Sequence, residues 1–198
     1  MGKIISVVGS SGVGKTTLVR ALSANDQFIT GFEEHAERPF QLLFKQDTRF
    51  ALANQIDFLL FRAEQERMLR ASTNIGLLDG GLDLDFYGFT RLFHAKGLLS
   101  DPEFHLCQRF YEHTRAFLPP PDLIVHLNAT EQVIKARLEK RKRINIASAE
   151  DTKLFNSFLE DWLSSIPASR LLRLDSTNET SDFTDGIRLI LSALQKIS

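Results

Sequence analysis

With a single cysteine, Cys107, the chain can form no internal disulfide and no zinc site built from four cysteines. Charge of neither sign dominates. The 24 Lys and Arg face 25 Asp and Glu, so there is no global basic footprint for duplex nucleic acid. No apolar run approaches the ~20 residues that a membrane-spanning helix needs. The opening MGKIISVVGSSG lacks the long apolar stretch and small-residue cleavage site of a secretory signal. These absences lead us to expect a protein of the reducing cytoplasm, with neither a membrane nor a nucleic-acid polymer as partner. Internal repeats and low-complexity tracts are missing too. At 43% hydrophobic and 25% charged, the 198 residues have the balance of a folded protein. Their number predicts one domain, residues 1–198, with an appended lid and enough burial for a core.

What is present is a series of short apolar runs separated by helical patterns. Lys3 to Val8 is β-branched and continuously apolar, as expected of a parallel strand covered on both faces. Further strands are expected at 28–33, 75–78, 123–127 and 170–174. Helical spacing covers 16–23, 48–71, 85–96, 101–118, a stretch from Thr130, 150–165 and 183–196, with Pro39 read as an interruption. In the long helix, Ala51, Ile56, Leu59, Leu60 and Ala63 recur at steps of three and four, which predicts an apolar face. The alternation predicts an α/β fold of three layers, a five-stranded parallel sheet flanked by helices.

The strongest local signal is Gly9-Ser10-Ser11-Gly12-Val13-Gly14-Lys15-Thr16, followed by Thr17, between an expected strand and an expected helix. Glycines at these positions let successive backbone N–H groups curl around a β-phosphate, and the helix adds its positive end. Lys15 carries charge to the β- and γ-phosphates, and the Thr16 hydroxyl is a ligand for Mg²⁺. The reading is a P-loop NTPase fold that binds a nucleoside triphosphate. No guanine-reading N-K-x-D motif is found, so ATP is the expected donor.

Other residues gather chemistry around that loop. Glu34 follows the second strand, at the sheet edge where ligands bind, as a proton acceptor for an attacking hydroxyl or as a solvated loop acid. Asp79 ends an apolar strand, placed either to hold a metal-bound water or to cap the next helix. Gln55, inside the long helix, is an ordinary polar position or a buried amide matched to a nucleobase edge. Arg137, Arg141 and Arg143 form either a solvated face or cationic forks for a transferring phosphoryl group. Among sixteen Phe, mostly at core spacing, Phe58 or Phe86 is a candidate lining for an acceptor pocket. Cys107 reads as a small buried hydrophobe, and the histidines show no metal-ligand spacing.

Taken in order, these patches resemble the deoxynucleoside kinase family along nearly the whole chain. The resemblance rests on the phosphate loop, Phe32-Glu33-Glu34 before Arg38-Pro39-Phe40, and Phe50 to Gln55 followed by Phe58 to Arg62. It rests also on Leu77-Leu78-Asp79 before Leu84-Asp85, and on Arg137 to Arg143, which is similar to the family's arginine-rich lid, about 140–150 here. The resemblance implies Glu34 as base toward a sugar 5′-hydroxyl, Gln55 and Asp85 as base contacts, and an acceptor that is a small nucleoside. Helix capping is the other reading of Asp85. The resemblance also implies a possible homodimer. Three departures stand out. Gly80 occupies the place of the family Arg after the strand-end acid, and Phe44 that of a Tyr contacting the sugar 3′-hydroxyl. Ile144 to Ser148 replaces a Glu after the lid. Two other readings stay open. One is a nucleoside monophosphate kinase with Arg38, Arg49 and Arg62 as cations; the other is a catalytically weakened ATP sensor. Arg38 and Arg62 are also candidates to replace the lost Arg.

Overall fold

Ile4–Val8 (β1) is buried along its whole length, and the residues on its two faces feed three apolar clusters. Ile5 and Val7 join the apolar cluster beneath Lys15–Ser23 (α1) and Thr184–Gln195 (α9). Val8 joins the cluster beneath Ala149–Ser164 (α8) on the other face, and Ile4 packs with Leu69 of Ala51–Arg70 (α3). Burial on both faces is why this strand reads as a continuous apolar run. In a computed structural model, residues 2–31, 38–139, 149–180 and 182–197 are described. Phe28–Gly31 (β2), Ile75–Asp79 (β3), Leu123–Asn128 (β4) and Leu171–Asp175 (β5) complete a parallel sheet in the order β2-β3-β1-β4-β5. The three layers and five parallel strands agree with the sequence expectation.

The strand order reverses direction at β1, which lies between β3 and β4. In open parallel sheets the crevice at that point is where ligands bind. Register sets what meets there: Val7 pairs with Asp79 of β3, and Val8 with His126 of β4.

The remaining helices are Pro39–Gln46 (α2), Leu82–Leu84 (α4), Arg91–Ala95 (α5), Asp101–Phe117 (α6) and Glu131–Glu139 (α7). Three local expectations are corrected. Pro39 does not interrupt the chain but starts α2, because a first-turn proline lacks only an N–H that would have no partner. The helix expected at 85–96 starts earlier and contains a π-helical turn, Asp85–Thr90, between α4 and α5. Finally, the apolar stripe expected on α3 is only part of its buried face: Ala51 and Leu59 lie in the core and Ile56 packs against it, but Leu60 is exposed, and Asn54, Gln55, Arg62, Gln65, Glu66 and Arg70 are buried as well. Cys107 is fully buried in α6, and burial pushes its thiol up to about 11.

His126 supplies a pH-dependent term. Its imidazole is buried at the end of β4, with Arg173 Nη1 3.0 Å and Glu160 Oε1 3.6 Å from Nδ1. Desolvation holds it below its ordinary value of 6.5; Arg173 works in the same direction and Glu160 against both. The unfolded chain therefore takes up a proton first as pH falls, so this contribution is complete above about 6.5 and is lost below it. His126→Phe is expected to flatten the loss of stability between pH 7.5 and 5.5, as read by urea unfolding. Parallel curves for the two proteins would remove this assignment.

Candidate active site

The segment between β1 and α1 carries the glycine-rich loop. Gly14, at φ 110°, enters α1 with no side-chain cap, which leaves the first-turn amides of that helix for an anion. Thr17 lies in that first turn, behind Thr16. Lys15 Nζ folds back and donates to the carbonyls of Gly9 at 2.9 Å and Ser10 at 3.0 Å. α7 lies directly over the loop: a Cβ on Gly12 would stand 3.0 Å from Leu138 and 3.3 Å from Ile134. Only glycine permits this approach at φ +87°.

Beside the loop, the Thr16 hydroxyl donates to Asp79 Oδ2 at 2.5 Å. A hydroxyl and a carboxylate brought together at the edge of a phosphate loop are hard oxygen donors suited to Mg²⁺. Asp79 is not used as a side-chain cap of the following helix, whose cap position is Gly81. The chain then turns through Gly80 at φ +93°, and a Cβ there would lie 3.5 Å from Arg62 Nη2. The guanidinium of Arg62 thus stands next to the position where the resembled family carries its Arg. Arg62 donates to Asp85 Oδ2 at 2.8 Å and to Gln65 at 3.1 Å, and both members of the Arg62–Asp85 pair are buried. Gly80→Arg is expected to strain the turn by about 1–2 kcal/mol. It sets a second cation against Arg62, so the melting temperature should fall by roughly 2–8 °C with no gain in activity. A more active variant of unchanged stability would show that the turn accepts the family residue.

A cleft of about 250 Å³ opens from this corner. Ser11, Lys15, Thr16, Asp79 and Gly80 line one part, and Asn54, Gln55, Phe58 and Asp85 another. Gln55 is buried, and its Oε1 accepts from Thr90 Oγ1 at 3.0 Å, leaving its NH₂ group as a donor. The π-helical turn aims both Asp85 and Phe89 at the cleft, in keeping with the habit of such turns to occur at functional sites. Phe44 does not line the cleft. It packs on Phe93, ring centroids 5.0 Å apart, and Phe93 is the one at the wall. Phe86 is stacked on Tyr111 at 4.4 Å within the core. Asn54, Phe89 and Phe93 carry no motif, and sequence reasoning missed them.

Arg137 is placed differently from a free fork. Its Nη1 donates to Val13 O at 2.9 Å, and its Nη2 to Ser176 O at 2.8 Å. Ser176 Oγ donates to the same Val13 carbonyl at 2.6 Å, so α7 and the segment after β5 clamp the loop together. Glu34, Arg141 and Arg143, with most of the lid, lie outside the described residues. The other candidate cations are engaged. Arg38 makes two 2.6 Å hydrogen bonds to Asp57 and covers Phe61, and Arg49 pairs with Asp47. Among the described residues there is no cluster of His, Cys, Asp and Glu able to hold a metal by itself. No helix among them is long and apolar enough to cross a membrane.

Comparison with known proteins agrees with this arrangement. A sequence model of the family described as deoxynucleoside kinase matches residues 5–197. A deoxyadenosine kinase of Dictyostelium discoideum is 26% identical over 177 residues, covering 86% of this chain and 72% of the relative. A deoxyadenosine/deoxycytidine kinase of Bacillus subtilis (strain 168) is 25% identical over 206 residues, covering 98% and 95%. The fold is similar to that of deoxyadenosine kinase from M. mycoides with the products dCMP and a flexible dCDP bound. The TM-score is 0.79 at 19% identity, with 97% and 98% of the two chains covered. The family match spans the phosphate loop, the cleft and α7 alike, and so the chain belongs to the deoxynucleoside kinase family of nucleoside-kinase phosphotransferases.

Proposed function

We propose that the chain transfers the γ-phosphoryl group of ATP to the 5′-hydroxyl of a nucleoside or nucleoside-like acceptor, with Thr16 and Asp79 as the residues that would hold Mg²⁺. The observation that carries this reading is the continuity of one cleft, in which Lys15, Thr16 and Asp79 share walls with Gln55, Phe58 and Asp85. Donor phosphates and an acceptor of nucleoside size would meet there without crossing water. Lys15, released from the Gly9 and Ser10 carbonyls, would carry its charge to the β- and γ-phosphates. Thr16 Oγ1 and the Asp79 carboxylate would hold the metal, whose chemistry is to neutralise phosphate charge. Glu34 would receive the proton of the attacking hydroxyl. Arg141 and Arg143 would meet charge spreading over the transferred group. Arg137, with both Nη atoms engaged, would act through the loop backbone. Arg62 would keep a guanidinium beside Gly80, and Gln55 and Asp85 would face the base.

The reading as one kinase unit over 1–198 with a lid near 140–150 goes with this function. So does a place in the cytoplasm. A homodimer enters only through the family resemblance. A monophosphate acceptor is less well served, because Arg38, Arg49 and Arg62 already hold Asp57, Asp47 and Asp85. The test is a mass-spectrometric screen with ATP and Mg²⁺ across nucleosides and nucleoside monophosphates. New nucleoside monophosphates are expected. Phosphorylation of monophosphates alone would move the reading to a nucleotide kinase, and ATP binding without any product would favour a sensor.

A further inference from the structure

Asn54 lies on α3, one residue before Gln55 and one turn before Phe58. It is 3% exposed and lines the acceptor part of the cleft. Its carboxamide oxygen Oδ1 has no hydrogen-bond partner, and it is the only buried side-chain nitrogen or oxygen among the described residues in that condition. Elsewhere this protein satisfies buried polar groups thoroughly: Glu66 and Asp83 are both ringed by donors. A lone orphan in a wall shared with Phe58, Phe89 and Phe93 is unfavourable for folding, and an apolar side chain would avoid it.

The orphan has a defined chemistry. A carbonyl oxygen accepts only, so its mate is an O–H or N–H group. Gln55 beside it has its own oxygen occupied by Thr90 and presents donors. The wall therefore offers an acceptor and a donor on adjacent residues. Meanwhile Phe44 stands behind Phe93 with no hydroxyl, and Ile144 to Ser148 holds no carboxylate in its sequence. The polar readers expected for the acceptor are missing at those places, and Asn54 is a polar group with an unused valence in the same cleft.

We infer that Asn54 is a specificity-determining residue, whose Oδ1 accepts a hydrogen bond from a hydroxyl or N–H group of the acceptor. This rests on the kinase reading above. A site built around such a bond rejects analogues that lack the donor, because the wall group is then left unpaired.

The test compares wild type with Asn54→Leu in three measurements. The melting temperature of the ligand-free variant is expected to equal or exceed that of wild type, since an unsatisfied oxygen has been removed. Its kcat/KM for the preferred acceptor should fall about 10–100-fold, mainly through KM, while KM for ATP stays within about twofold. Acceptor analogues lacking one donor each (3′-hydroxyl, 2′-hydroxyl, exocyclic amino) complete the cycle. One of them should lose the same factor on wild type and lose nothing more on the variant. A hydroxyl-lacking analogue in that role names the sugar, and an amino-lacking one names the base edge. If Leu disturbs folding, Asn54→Ala gives the same comparison. An active wild type with an equally active Asn54→Leu overturns the Asn54 assignment alone. So does a variant that loses stability with acceptor KM unchanged. A wild type that phosphorylates no nucleoside overturns the kinase reading and this inference with it.

Discussion

Lys15→Ala is expected to lower kcat/KM for phosphoryl transfer by at least about 10²–10³, the effect of losing one preorganised positive group at a developing charge. The loss should fall on kcat, because the amides of the loop and of α1 still bind the donor's phosphates. Lys15 Nζ rests on the Gly9 and Ser10 carbonyls, so it is held at the mouth of the cleft. The variant should remain folded, since the bonds to Gly9 and Ser10 stay within the phosphate loop and join no two elements of the core. Steady-state kinetics with a tryptophan-fluorescence melt separates the two quantities. A variant of near-normal kcat would remove Lys15 from the chemistry and weaken the whole phosphate-loop assignment.

The second large effect is on stability. Glu66 of α3 is fully buried between Arg70 and Arg115, the latter donating to both of its oxygens at 3.0 Å. Arg115 of α6 also reaches both oxygens of Asp83, at 2.9 and 2.8 Å, and Tyr111 donates to Asp83 at 2.7 Å. Burial and the Asp83 carboxylate push the Tyr111 phenol well above its ordinary range. The Arg115 cation is held against burial by Asp83 and Glu66. Two cations and two anions cancel, and Arg115 is the member shared by both carboxylates. Arg115→Leu leaves Glu66 and Asp83 short of a partner in a dry interior, so unfolding should become easier by about 3–5 kcal/mol. For a chain of this size that is a fall of about 6–20 °C in melting temperature. A shift of less than about 1 kcal/mol would show the network to be solvated and replaceable. Because Asp83 follows the Gly80-Gly81 turn by two residues, the same network ties the cleft wall to α3 and α6.

The parts of this architecture legible in the sequence are those that depend on short-range pattern. Continuous apolar runs announced the five strands, and the spacing of Gly9, Gly14, Lys15 and Thr16 announced the loop, because each is a local requirement. α2 was hidden by Pro39, whose effect depends on whether it falls inside a helix or on its first turn. α3 misled for a different reason. Beside Ala51, Leu59 and Leu69, its buried side carries charges and amides whose partners lie far along the chain: Arg62 with Asp85, Glu66 with Arg115. Pairing across such separations leaves no periodic trace. Phe44 could be aligned to a family position, yet only packing shows Phe93 between it and the cleft. Arg137 likewise read as a fork for phosphate, and only the approach of Val13 and Ser176 reveals a clamp. Asn54 gave no signal at all, since a missing hydrogen bond is a property of surroundings.

The central claim is that the γ-phosphoryl group passes from ATP to an acceptor hydroxyl within one cleft. The most direct measurement uses ATP carrying ¹⁸O on its γ-phosphate, with mass spectrometry of the products from the accepted nucleoside. The account predicts a nucleoside 5′-monophosphate bearing the three labelled terminal oxygens, equimolar unlabelled ADP, and no label lost to free phosphate. Label appearing only in inorganic phosphate, with the nucleoside unchanged, would mean that water is the acceptor and would contradict the account.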